Sequence, residues 1–234
     1  MLDPGLDIFA NVRWQEFDHR AVRARLEGNG WTKCGEGDWA VVLRSPQGRL
    51  AVRISAFEPS YSWFVELCDR VRANPYLPRI ELVSELEGGG HLAVLEYLTP
   101  VSESDAKSFL ARWNSSSDPD LALRALRAAT DALDAECRRS VPFWMGVDLG
   151  DHVMRSMDGH VKLIDLLGVG GGPMVELIRT DIDAFLRIIP RDRCRYMLDI
   201  PHFGRSYAEQ DRRTVAAAFA AYDGRTANPG TADF

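Results

Sequence analysis

Apolar residues follow two different rhythms along this chain, and the change falls near residue 100. Before it they alternate with polar residues or run in short stretches, in "GWTKCGEGDWAVVLRS", "GRLAVRIS" and "PRIELVSELEGGGHLAVLEYL". Stretches of this kind, broken by Gly-rich or Pro-Gln-Gly segments, predict β-strands joined by turns. One segment departs from them. In "YSWFVELCDRVRAN" the residues Trp63, Phe64, Leu67 and Val71 recur at helical spacing, with Ser60 placed to cap the first turn and Asn74-Pro75 to end the helix. The predicted order is strand, strand, helix, strands.

Beyond Thr99-Pro100 the period becomes helical. "SESDAKSFLARW" opens with a Ser-x-x-Asp box, in which a hydroxyl serves the unpaired amides of the first turn. After a Ser-rich linker, "DPDLALRALRAATDALDAECRR" carries Leu121, Leu123, Leu126, Ala129, Leu133 and Cys137 at positions that predict a buried helix. A hairpin follows: "VDLGDHVMRS" ends in Val153 and Met154, and "HVKLID" returns antiparallel to it across an Asp158-Gly159 turn. "GVGGGP", Gly168 to Pro173, reads as a flexible loop and His160 as a turn residue. The polar tail "DGRTANPGTADF" is expected to be poorly ordered. The pattern is that of an α+β protein, divided into an N-terminal extension (1–27), a sheet-rich part with one helix (28–98) and a mainly helical part (99–234).

Composition narrows the function classes. The chain has 234 residues, 46% of them hydrophobic, which is enough to bury a core. A net charge of -6 with no basic run argues against nucleic acid as a partner. The start, "MLDPGLDIFANVRW", has acids where a secretion signal would carry lysines, and no segment approaches the ~20 apolar residues of a membrane span, so a cytoplasmic protein with no membrane contact is expected. Cys34, Cys68, Cys137 and Cys194 form no C-x-x-C pair, which points to reduced, mostly buried thiols. Trp31, Trp39, Trp63, Trp113 and Trp144 are read as packing residues.

The candidate chemistry lies at the hairpin. Asp165 closes a strand too apolar to tolerate an unpartnered acid, and Asp148 precedes the other strand. The hairpin therefore brings two carboxylates to one open end, where they can bind a divalent ion and accept a proton. Either alone could simply cap a turn.

In order rather than in any single motif, residues 29 to 190 resemble the protein-kinase-like fold, including its minimal bacterial and phage-type members and the related small-molecule phosphotransferases. "GEGDWAVV" looks like the Gly-rich loop over ATP phosphates, with Gly35 and Gly37 allowing close backbone approach. "LAVRI" is similar to the V-A-I-K strand, with Ala51 under the adenine and Arg53 on the phosphates. Glu66 stands where the family's helix places a glutamate that pairs with that cation. "LAVLEYL" resembles the strand into the hinge, whose backbone from Glu96 to Leu98 would bond the adenine edge. "VDLGDHVM" resembles the catalytic loop, with Asp148 as base, and "VKLIDLLG" the strand ending in the metal-binding aspartate, Asp165. "RTDIDAFLRIIP" looks like the family's next large helix, with Asp181 as a buttress of the catalytic loop. The resemblance implies a bilobal architecture, with a small antiparallel-sheet lobe and a helical lobe, and ATP with magnesium or manganese as cofactors.

Several positions depart from the family pattern. Arg53 replaces the lysine, and a guanidinium is bulkier and less of a point charge than an ammonium; Lys33 is a substitute cation to weigh, although a solvated surface lysine is the simpler reading. The pattern D-x-x-x-x-N places an asparagine five residues after the base, whereas His152 lies four after Asp148. An imidazole at a metal site suits manganese better than magnesium, and Asp151 could serve in its stead. The stretch from Asp165 to Asp181 is short for an activation segment. Three functions follow from the resemblance. The first is an ATP-dependent phosphotransferase acting on protein serine or threonine, the second a nucleotide-binding pseudokinase that serves as an interaction module, and the third a kinase for a small hydroxyl compound.

Overall fold

The computed structural model of the chain describes residues 4–150 and 152–227, and it is α+β. Asp18 caps the first helix, α1 (His19–Gly28), by accepting the Ala21 N–H at 2.7 Å. Five strands follow: β1 (Thr32–Glu36), β2 (Ala40–Arg44), β3 (Leu50–Ser55), β4 (Ile80–Glu85) and β5 (His91–Glu96). They form one antiparallel sheet in the order β1-β2-β3-β5-β4, in which the largely buried β3 lies at the centre. The period of two decides what each face carries. Val52 and Ile54 face a cluster with Phe9, Trp14, Val22, Leu26 and Trp31, so the residues ahead of β1 cover one side of the sheet. Ala51 and Arg53 point to the other side.

Helix α2 (Tyr61–Arg70) lies on that other side, with Tyr61, Phe64 and Leu67 buried. Ser60 flanks it as expected but makes no capping hydrogen bond with its side chain, and the helix ends at Arg70 rather than at Asn74. Ala73 takes a left-handed backbone (φ 59°), which closes the segment before Pro75. After β6 (Leu98–Pro100) come α3 (Glu103–Asn114), whose Ser102 hydroxyl accepts the Asp105 N–H at 3.1 Å, and α4 (Leu121–Ser140), capped by Asp120. Leu123, Leu126, Leu133 and Cys137 are buried as their spacing predicts, but Leu121 is 71% exposed. It sits at the first position of the helix, before the apolar stripe reaches the core.

The two strands of the hairpin pair as read. β7 (Trp144–Val147) is followed by β8 (Val153–Ser156) and β9 (Val161–Leu163), which pair antiparallel across a turn with Gly159 at φ 90°. β6 adds to β8, and β10 (Leu167–Val169) pairs with β7. "GVGGGP" is not a free loop. Its first residues, Gly168 and Val169, end β10, and Gly171 begins α5 (Gly171–Thr180), with Pro173 in its first turn, where a missing N–H costs nothing. α6 (Ile182–Ile188) follows at once, then short 3-10 turns between Arg191 and Ala208, and finally α7 (Glu209–Ala227). Residues 223–227 of the tail are thus helical, and 228–234 lie outside the described residues.

Two further clusters join the sheet to the helices. One packs Tyr61, Phe64 and Ala93 against Phe109, Leu126 and Leu163; the other packs Ala56 and Phe57 against Phe143, Phe185, Met197 and Phe203. Trp31 and Trp113 are buried, and Trp39, Trp63 and Trp144 pack half-buried on the core. Cys137 and Cys194 are buried, Cys68 is partly so, and Cys34 is exposed; all four are free thiols. No helix among the described residues is long and apolar enough to cross a membrane.

Candidate functional site

Two cavities open between the sheet and the helices, and they meet at Val42, Arg53 and Asp165. The first, about 290 Å³, is walled mainly by apolar side chains, among them Ala51, Phe64, Leu95, Leu98 and Ile164. The second, about 490 Å³, is the more polar of the two, with Glu58, Asp148, His152 and Asp165 in its lining. Met174, Val175, Ile200, His202 and Phe203 line it as well.

Arg53 stands at the junction with only 11% of its side chain exposed. Its two terminal nitrogens grip Glu58 as a fork, Nη2 donating to Oε1 at 2.6 Å and Nη1 to Oε2. Nη2 also lies 3.5 Å from Asp165 Oδ2, and the guanidinium sits over the Tyr61 ring at 4.4 Å. Burial works against the Arg53 charge, but Asp165 and Glu58 outweigh it and hold the proton more tightly than usual. For Glu58 burial dominates and pushes its pKa up to about 7, against the pull of Arg53. A guanidinium cannot be deprotonated in a protein, so Arg53 keeps its charge, and its planar fork holds both oxygens of Glu58 in a geometry that a lysine could not match.

The partner expected for Arg53 was Glu66, and that pairing does not form. Glu66 accepts from Arg70 at 2.6 Å, and Arg70 in turn reaches Glu136 of α4 at 2.6 Å. Helical geometry explains the difference: the buried face of α2 is Tyr61, Phe64 and Leu67, which leaves Glu66 on the outer face, one turn before Arg70. Glu58, in the link between β3 and α2, takes the place instead. Lys33 pairs with Glu36 at 2.5 Å with 44% of its side chain exposed, so it is a surface lysine.

The remaining positions divide between the cavities. Gly35 lies opposite Val42 in the sheet and lines the apolar cavity; Gly37 lines the polar one, its N–H donating to Ala40 O at 3.0 Å. The β1–β2 loop is therefore a tight tip of Asp38 and Trp39. Glu96, Tyr97 and Leu98 border the apolar cavity together, where the Glu96 amide donates to Arg79 O and the Tyr97 amide to Arg49 O. The Glu96 carboxylate accepts the Arg79 N–H at 2.8 Å and faces Lys162 at 3.4 Å.

Asp148 and Asp165 both line the polar cavity, and the Asp148 N–H donates to Leu166 O at 2.9 Å, which fixes the loop against the strand end. Asp148 Oδ1 accepts from the Gly150 N–H, and its Oδ2 lies 3.8 Å from His152 Nε2. Asp165 adopts a left-handed backbone (φ 48°), a conformation that aspartate tolerates better than most residues and that clusters at functional sites. Asp151 lies outside the described residues. Asp181 caps α6 by accepting the Ala184 N–H at 2.8 Å.

Among the described residues no group of three His, Cys, Asp or Glu side chains is set to hold a metal ion. Magnesium needs fewer from a protein, because it commonly takes one or two carboxylates and completes its shell with phosphate oxygens and water. Asp148 and Asp165 could supply that share. Sequence reasoning missed Glu58, Asp38, His202 and Asp211, which complete the polar cavity. Asp38 lies within the "GEGDWAVV" stretch, where only the glycines stand out, and Asp211 in the first turn of α7; Glu58 and His202 belong to links with neither period nor motif. The chain matches no protein-family model and no curated protein.

Proposed function

We propose that the protein is a nucleotide-dependent phosphotransferase of the protein-kinase-like type, with two lobes facing each other across the cleft and with ATP and a magnesium or manganese ion as cofactors. The observation that carries this reading is the meeting of an apolar and a polar cavity at Arg53 and Asp165. A nucleoside triphosphate has the same division, a flat base and a polyanionic chain. Ala51 and Leu98 would flank the base, and Arg53, held by Glu58, would face the phosphates. The polar cavity is lined by five carboxylates, Asp38, Glu58, Asp148, Asp165 and Asp211, against the Arg53 guanidinium. Polyphosphate would be repelled there unless a divalent ion neutralised it.

In this reading Asp165 holds the ion and Asp148 accepts the proton of the acceptor hydroxyl, with His152 beside it to orient the carboxylate or to share the ion. The acceptor is a hydroxyl compound, either a protein serine or threonine or a small molecule; Ile200, His202 and Phe203 line the same cavity as Asp148 and would border it. A second reading, a nucleotide-binding module without turnover, is favoured by the engagement of Arg53 with Glu58 and Tyr61, which uses part of its donor capacity.

Incubation with labelled ATP and either metal, with small alcohols and with serine or threonine peptides as acceptors, separates these readings. Transfer that disappears in Asp148→Asn supports the enzyme. Nucleotide binding without transfer under every condition supports the module, and absence of both rejects the nucleotide site.

A further inference from the structure

The segment between α6 and α7 ties the helices to the sheet along one side of the cleft. Met197, Ile200 and Phe203 are buried in the same cluster as Ala56 and Phe57 at the end of β3. Around this cluster Arg193 pairs with Glu85, Arg195 with Glu87, and Asp199 with Arg20 at 2.6 Å. At Gly89, a Cβ would come within 1.9 Å of the Arg193 carbonyl oxygen, so the β4–β5 turn is pressed against this segment backbone to backbone.

The same segment reaches the mouth of the polar cavity at its other end, and the contact there is of a different kind. The His202 N–H donates to the Asp38 carbonyl at 2.9 Å, and Arg205 Nη2 lies 3.2 Å from Asp38 Oδ1. Asp38 and Arg205 are 52% and 40% exposed. Asp38 and His202 both line the polar cavity. Trp39 is anchored, with the Ser55 hydroxyl bonded to its carbonyl at 2.8 Å and its ring 6.4 Å from that of Phe57. Gly37, in contrast, has open space where a side chain would be.

We propose that the β1–β2 tip and the Pro201–Arg205 turn form a latch over the polar cavity, and that ligands are admitted by release of Asp38 while the rest of the segment stays docked. The relative strengths decide which end opens. An exposed ion pair shifts an equilibrium by a factor of about five or less, whereas the docked end buries three large apolar side chains and is flanked by three ion pairs. Gly37 is the hinge and Trp39 the fixed post. The contact holds the cavity shut in the free protein without requiring the sheet and helices to rotate apart.

Hydrogen exchange on the free protein tests the latch without any ligand. In Arg205→Gln the His202 amide, which donates to the Asp38 carbonyl across the latch, should exchange about two- to five-fold faster, the range an exposed pair allows. Arg205→Lys should stay near wild type, and Arg195→Gln, which cuts a pair at the docked end, should leave this amide unchanged. Equal exchange in Arg205→Gln and wild type overturns the proposal. A second arm rests on the phosphotransferase reading and uses a fluorescent ATP analogue with magnesium in stopped flow. Its association rate should rise, and its apparent Kd fall, by up to about five-fold in Arg205→Gln, because more of the free protein is then open, and an unchanged association rate would reject the tip as the route of admission. Failure of the analogue to bind wild-type protein would reject the nucleotide site, and the exchange result would still decide the latch.

Discussion

Arg53 and Glu58 are the residues on which the centre of the molecule depends most. Both side chains are nearly sealed from water, and removing Glu58 leaves the Arg53 charge with only the longer 3.5 Å contact to Asp165. Breaking a buried pair in this way costs about 3–5 kcal/mol, and Glu58→Ala should lower the unfolding free energy in urea by that order. Glu66→Ala, which cuts an exposed pair with Arg70, should cost no more than about 1 kcal/mol. A reversal of that order would place the structural glutamate on the helix after all. His91 sets a pH dependence at the same centre. Burial, then Arg53 and Arg193, push its pKa down to about 4 from an ordinary 6.5. The unfolded chain therefore binds more protons between those values, and stability should be complete above pH ~6.5 and fall as the pH drops toward ~4. His91→Gln should flatten that acid limb in denaturant titrations at several pH values. At this scale the shared face of Ala51 and Arg53 was legible, because period two is a strict rule. Glu58 was not, because it sits in a five-residue link, Ala56 to Ser60, where no period applies.

At the scale of elements the strands and their hairpin were readable because alternation and turn residues agree, although the loop is Met157 to Gly159, three residues with a positive φ at Gly159 alone, rather than a two-residue Asp158-Gly159 turn. Ser102 announced its helix in the same way, by a side-chain oxygen placed to serve an unpaired amide, whereas α4 was read from its apolar spacing and its cap, Asp120, emerges only in the structure. The glycines before α5 misled, since glycine lowers helix propensity without forbidding a helix, and burial of Met174, Val175 and Ile178 decides in its favour. Tertiary contact also gives the β4–β5 turn its sensitivity. Gly89 combines a φ of 86° with backbone of the docked segment at 1.9 Å from where a Cβ would be. Gly89→Ala must both strain the turn, at ~1–2 kcal/mol, and displace Arg193. We expect a loss of at least about 2 kcal/mol, read as a lower Tm, and a loss well below 1 would mean that the turn and the segment separate readily in solution.

For the whole molecule, the cleft is the product of elements far apart in sequence: β3, the β8–β9 hairpin, and the turns from Arg191 to Ala208. The first two were legible in order and spacing. The last has neither period nor motif, since its short turns exist only because Met197, Ile200 and Phe203 find a core to enter. Ligand binding should report on all three at once. On the proposed phosphotransferase reading, nucleotide at a hundred times its Kd would stabilise the folded state by ~2.7 kcal/mol, so Tm should rise in the presence of ATP and metal. Asp165→Ala should lose the metal-dependent part of that rise and keep the rest. A rise that is the same with and without the carboxylate would remove Asp165 from the metal's shell.

The residues ahead of β1 carry a consequence for anyone who shortens the chain. Phe9, Trp14, Val22 and Leu26 cover a face of the sheet that includes Leu43, Val52, Leu92 and Val94. A fragment starting at Gly28 would keep every cavity-lining residue near Arg53 and Asp165, yet turn that face toward water. Contiguous apolar surface of this kind draws copies together, and the edge strands β1 and β4 offer unpaired backbone to extend the association. In sedimentation such a fragment should form oligomers that grow with concentration, so that a loss of activity in it would report stickiness rather than chemistry.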